Sequence, residues 1–130
     1  MSRHPNATLI RDAWRAVARG DTETLDQLCV DGIQWHATAR NTPWAGDHQG
    51  IDAVLDHLGR MGEAADVFDA SLTDLLVSEE RAATVMQISA RRGDRHLEVQ
   101  FLILYRIAGG KIAEVWSTPL DPHATDVFWA

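Results

Sequence analysis

The chain has a single cysteine, Cys29, so it cannot form an internal disulfide. No run of residues approaches the 18 or so apolar positions that a membrane-spanning helix needs. The first residues, Met1 to Pro5, lack the apolar segment of a signal peptide. Together these absences lead us to expect a cytoplasmic protein. Basic residues are few: 12 Lys and Arg stand against 19 Asp and Glu, for a net charge of −7. Nucleic-acid binding is therefore not expected, because phosphate recognition needs a concentrated basic face. The one basic cluster, Arg91, Arg92 and Arg95 around Gly93-Asp94, reads as a solvated turn. There is no glycine-rich dinucleotide or phosphate loop, and no cofactor is implied. His123 lies close to Asp121 and Asp126, but the segment is short, contains Pro122 and does not make a metal-ligand set.

What is present is the composition of one globular domain spanning residues 1–130, with 45% hydrophobic and 24% charged residues. Five tryptophans are many for this length, and large flat side chains suit a cavity wall, an interface or a core. Asn6 to Arg19 has helical period, with Ile10, Ala13, Trp14 and Val17 on one face and Gly20 as its stop. Asp21 can cap a second short helix, and Ile33 to Thr38 then reads as a strand. Ala39 to Gln49 reads as an irregular loop punctuated by Pro43 and Gly46. Gly50 to Gly62 is a third helix, with Ile51, Val54, Leu55, Leu58 and Met61 on one face. His57 falls on its polar, solvated side. After residue 66 the period changes to alternation. Val67–Val77, Ala82–Arg91, Arg95–Ile107 and Lys111–Thr118 read as four strands joined by short turns. Helices early and an antiparallel meander late make the α+β pattern.

The hairpin from His96 to Trp116, turning at Gly109-Gly110, organises the rest. One face of its first strand is wholly apolar: Leu97, Val99, Phe101, Ile103, Tyr105 and Ile107. The other is mixed, with His96, Glu98, Gln100, Leu102 and Leu104. We read the mixed face as lining a cavity under the helices, and the apolar face as packing on another sheet or subunit. If Gly93-Asp94 is a two-residue turn, Arg92 faces Arg95, Ser89 faces Glu98, and Gln87 faces Gln100. Gln87, Ser89, Glu98 and Gln100 then form a polar patch above Leu102, either orienting a ligand in a pocket or lying solvated at the sheet rim. Glu98 is the acid of the mixed face. In an apolar cavity its pKa would rise and suit proton transfer; otherwise it is a surface group or pairs with Arg91 or Arg95.

Several local sequences, in this order, resemble those of the SnoaL-like and ketosteroid-isomerase-like families of the nuclear transport factor 2 superfamily. They are A-R-G-D at 18–21, W-H at 35–36, P-W-A-G-D-H-Q-G-I-D-A-V-L at 43–55, G-G-K-I-A-E-V-W at 109–116 and D-P-H-A-T-D-V-F-W at 121–129. The resemblance implies a cone-shaped α+β barrel of cystatin-like topology. In it a curved, mostly antiparallel sheet wraps around three helices from the N-terminal half and encloses a deep pocket. It also implies a homodimer through the convex sheet face. Members include isomerases, polyketide cyclases, dehydratases, epoxide hydrolases and non-catalytic binding domains. The isomerases' general base aligns with His36 or Ala37, which makes His36 the candidate base, the alternative being a histidine bonded to loop backbone. Their oxyanion-hole tyrosine falls near Ala13, beside Trp14, and their oxyanion acid falls at Leu102, so their full site does not carry over. The limonene-epoxide-hydrolase site has no counterpart; Gln87 and Ser89 stand there instead.

Trp44 is either a lid at the pocket mouth or a packing anchor. Trp116 either lines the cavity or sits in the interface, and Phe128-Trp129 either closes the cavity or covers the core edge. The enzyme expectation is cofactor-free acid–base chemistry on an apolar polyketide-, terpenoid- or steroid-like molecule. In it His36 and Glu98 are catalytic, Trp14, Trp35, Trp44 and Trp116 form the wall, and Gln87, Ser89, Gln100 and Leu102 contact the substrate. The alternative is a non-catalytic ligand-binding or dimerisation domain with the same pocket.

Overall fold

The computed structural model describes residues 4–38 and 45–130. The helices are α1 (Pro5–Arg19), α2 (Thr22–Leu28), α3 (Ile51–Glu63) and α4 (Pro122–Trp129). The strands are β1 (Cys29–Ala37), β2 (Gly46–Gln49), β3 (Val67–Val77), β4 (Arg81–Arg92), β5 (Arg95–Ala108) and β6 (Lys111–Pro119). They form one sheet in the order β2-β1-β6-β5-β4-β3, antiparallel except where β1 runs parallel to β6. The architecture is the expected α+β curved sheet with helices against it, but the sheet stays open: among the described residues its edge strands, β2 and β3, do not pair with each other. Two elements go beyond the sequence reading. Residues 46–49, expected as loop, pair with β1 as a short strand, and the tail past Leu120 folds into α4.

Local chemistry explains the boundaries. The His4 ring accepts a hydrogen bond from the Asn6 backbone N–H, and Gly20, in the left-handed region at φ 66°, ends α1. The Asn6 amide donates to the carbonyls of Ser78 and Glu79 at 2.7 and 3.1 Å, tying the start of α1 to the β3–β4 turn. The carboxylates of Asp21 and Asp121 cap α2 and α4 by accepting from the backbone N–H groups of Thr24 and Ala124. Gly109 and Gly110, at φ 59° and 76°, allow the tight turn between β5 and β6.

The register of β4 on β5 is the expected one: Arg92 opposite Arg95, Ser89 opposite Glu98, Gln87 opposite Gln100. The faces, however, are the reverse of those expected. The apolar row of β5, Leu97 to Ile107, is buried beneath the helices, together with Thr84, Met86, Ile88 and Ala90 of β4. The mixed row is the outer, convex face. The physical reason is area. The helices cover one face of β5, and burying six large apolar side chains, at about 1.5–3 kcal/mol each, outweighs burying a row that carries Glu98 and Gln100.

The tail is docked. Phe128 and Trp129 are buried edge to face, with ring centroids 4.7 Å apart. Arg92 and Arg95 donate to the Phe128 carbonyl at 3.1 and 3.4 Å, Arg95 also reaches the Ala130 carbonyl, and the Arg92 guanidinium sits 5.6 Å from the centre of the Trp129 ring. The basic cluster is therefore not a merely solvated turn, because two of its three arginines hold α4.

Candidate small-molecule site

Between the helices and the concave sheet lies a cavity of about 430 Å³. Its floor is Met86 and Ile88 of β4 with Phe101 and Ile103 of β5. Its roof is Trp14 and Val17 of α1 with Leu58 and Met61 of α3. Phe68 and Leu72 of β3 close one side, and Trp35 and Ser117 close the other. Alternation along each strand sets this lining: Met86 and Ile88 of β4 and Phe101 and Ile103 of β5 turn inward, and on β6 Ser117 does so rather than Trp116.

Few polar groups reach this space. The Trp35 side chain is 7% exposed, and its indole N–H has no hydrogen-bond acceptor. Ser117 brings a buried hydroxyl-bearing side chain to the same end. Asp69, on edge strand β3, is the one ionisable residue bordering the cavity among the described residues, but it pairs with Ser89, which places its side chain on the convex face. Deeper in, the Trp14 indole N–H donates to the Tyr105 hydroxyl at 2.8 Å, and Tyr105 shares a 2.7 Å hydrogen bond with the Thr84 hydroxyl. Burial raises the pKa of Tyr105, so its hydroxyl stays protonated.

His57 lies behind Trp35, with ring centroids 5.7 Å apart, and stacks on His48 at 4.3 Å. It is 2% exposed and its Nδ1 has no partner. Burial, reinforced by His48, pushes its pKa down to about 4, so it is neutral at pH 7. The expectation of a solvated His57 is thus corrected. The signal was in the sequence: His57 is three residues after Val54 and four before Met61, on the flank of the apolar stripe.

Of the residues expected to line a pocket, Trp14 and Trp35 do so. Gln87, Ser89, Glu98, Gln100 and Leu102 come together as the register requires, but on the convex face. There Glu98 accepts from Ser89 at 2.7 Å and from Gln87 at 3.3 Å. Trp116 is also on that face, stacked on His36 with centroids 5.6 Å apart. His36 bridges two carboxylates, Asp47 at 2.6 Å and Glu114 at 2.7 Å, and Glu114 in turn accepts from Arg106 at 3.3 Å. The hydrogen bond to Asp47 and then that to Glu114 raise the His36 pKa against the opposing effect of burial, and the bond from His36 lowers that of Glu114. His36 and Glu98 therefore do not face one another across the cavity. Trp44 lies outside the described residues.

Residues 10–115 match the profile of the SnoaL-like domain. Uncharacterized protein Rv0034 of Mycobacterium tuberculosis is 32% identical over 124 residues, 94% of each chain. Bal32a, from a soil-derived mobile gene cassette, is 30% identical and superposes with a TM-score of 0.89 over 97% of each chain. TerC, co-crystallized with polyporic acid, is 12% identical and shares the fold, with a TM-score of 0.81 over 95% of this chain and 97% of its own.

Proposed function

We infer that this chain, which belongs to the SnoaL-like domain family of the nuclear transport factor 2 superfamily, binds a small, largely apolar ring compound bearing a carbonyl-type acceptor in its concave cavity. The observation that carries this reading is the unpartnered Trp35 indole N–H in the wall of a mostly apolar cavity. A buried donor without an acceptor costs about 1–3 kcal/mol, and a ligand oxygen placed against it recovers that cost. Aromatic walls from Trp14, Trp35, Phe68 and Phe101 suit a flat ring system. The structural neighbour TerC, co-crystallized with polyporic acid, supports a small-molecule reading for this fold.

The test is titration with 2-acetonaphthone, an apolar ring with one carbonyl, followed by quenching of tryptophan fluorescence. Trp35→Phe should weaken binding about tenfold, the worth of one hydrogen bond to a buried donor. Ala70→Trp, which puts a large ring into the cavity from β3, should abolish it without lowering Tm. Equal affinity in all three proteins would sink the reading.

The convex face supports a homodimer. Val85, Leu102, Leu104 and Trp116 form an outward row on β4, β5 and β6, and Leu102 is 37% exposed. Self-association through this face would cover them. Leu102→Asp should then convert a dimer to a folded monomer in sedimentation velocity; a wild type that sediments as a monomer excludes the assembly.

A further inference from the structure

A second space lies beside the cavity at the α1–α3 end. A groove of about 210 Å³ opens on the surface between the end of α1, α2 and α3, lined by Ala16, Leu25, Leu55 and Gly59 with Gly20 and Asp21 at its rim. Between groove and cavity lies a void of about 30 Å³, bounded by Leu25, Ile33 and Val54. Val17 of α1 and Leu58 of α3 line all three spaces. The three spaces therefore adjoin at these two side chains, which pinch the path from cavity to groove.

We propose that this path is the binding site for an unbranched alkyl chain carried by the ligand whose ring occupies the main cavity. The proposal rests on the reading above and narrows its ligand class to ring ketones with a long linear chain. The pinch is large enough for about one water, yet its wall is wholly apolar, and a water there lacks the two to four polar partners it needs. Methylene groups have no such requirement. Val17 and Leu58 can turn aside by rotamer changes, being partly rather than fully buried. The groove beyond is again apolar on its walls, and its only polar groups are at the solvent rim. There Asp21 is already engaged, its carboxylate accepting from the Thr24 hydroxyl at 2.7 Å. A chain entering from the cavity thus meets apolar surface along its length and reaches water only at its end. A bulky or branched group is stopped at the pinch.

The test uses n-alkyl 2-naphthyl ketones, from the acetyl to the dodecanoyl compound, with wild type and Gly59→Phe. Gly59 lines the groove but not the cavity, and a Cβ at this position meets no heavy atom within 4 Å. Affinity for wild type should rise by about fourfold per methylene, the worth of burying one CH₂, and level off once the chain reaches the rim. Gly59→Phe should hold the acetyl ketone within twofold of wild type and lose at least tenfold for the dodecanoyl ketone. Leu55→Phe, one turn earlier on the same helix and lining the groove but not the cavity, should do the same. If the plugged proteins bind the long ketone as tightly as wild type does, or if chain length has no effect on wild type, the path is not a chain site. If no ketone of any length binds wild type, the cavity reading fails as well.

Discussion

Tyr105→Phe should destabilise the protein by about 2–4 kcal/mol, a drop in Tm of roughly 10 °C. Tyr105 is 2% exposed and Thr84 is fully buried, and the tyrosine hydroxyl serves both Thr84 and the Trp14 indole N–H. Removing that oxygen strands the fully buried Thr84 hydroxyl and the part-buried Trp14 indole N–H at once, the first at a cost of about 1–3 kcal/mol and the second at less. The ring itself stays, so neither a cavity nor lost apolar area confuses the comparison. The double variant Tyr105→Phe/Thr84→Val should recover about 1 kcal/mol, since one stranded hydroxyl is replaced by a methyl of similar size. Urea denaturation of the three proteins measures both effects. A loss below about 0.5 kcal/mol for the single variant, less than a typical hydrogen bond is worth, would mean that the hydrogen bonds do not hold in solution. Because Trp14 roofs the cavity, the same change should also loosen the ligand site, so stability and affinity should fall together.

Acid should destabilise the fold through His57. Its pKa is about 4 in the folded state, against 6.5 when exposed. A group with a depressed pKa binds its proton more readily in the unfolded chain, so its stabilising effect is present above pH 6.5 and is lost as pH falls towards 4. By about pH 4.5 the difference amounts to about 2–3 kcal/mol, because each pH unit between the exposed and the buried value is worth about 1.4 kcal/mol. His57→Leu replaces the buried imidazole, whose Nδ1 has no hydrogen-bond partner, by an apolar side chain of comparable size. The variant should match wild type within about 1 kcal/mol at pH 7 and exceed it by about 2–3 kcal/mol at about pH 4.5. Denaturation curves at the two pH values give the answer as a difference of differences, in which the titrating groups not coupled to His57 cancel. Parallel losses in the two proteins would show that His57 is not protonated on unfolding.

The order of helices and strands was legible in the chain because each depends on local chemistry. Asp21 caps α2, Gly20 stops α1, and Gly109-Gly110 turns the hairpin, all through contacts within a few residues. Even the long-range register of β4 on β5 followed from the two-residue turn Gly93-Asp94, because a hairpin ladder is counted outward from its turn. The short strand β2 was not legible. Its four residues, Gly-Asp-His-Gln, have no strand character of their own and are held by pairing with β1.

The candidate site divides in the same way. Trp14 and Trp35 were identified from the sequence, while Tyr105, Ser117 and His57 took their places only through packing. A period of two sorts side chains onto two faces of β5, but it does not say which face the helices will cover. Glu98, Gln100 and Leu102 were grouped correctly and placed on the wrong side, since polar groups were expected where a ligand binds. The sequence alone determined the elements other than β2 and α4, their order, the register of β4 on β5 and the family, because these rest on local propensity, turn chemistry and the order and spacing of short motifs along the chain. Tertiary structure alone decided which face became the cavity, which histidine was buried, and that groove and cavity adjoin at Val17 and Leu58. Those outcomes depend on helices, distant in sequence, covering the face that removes the most apolar surface from water.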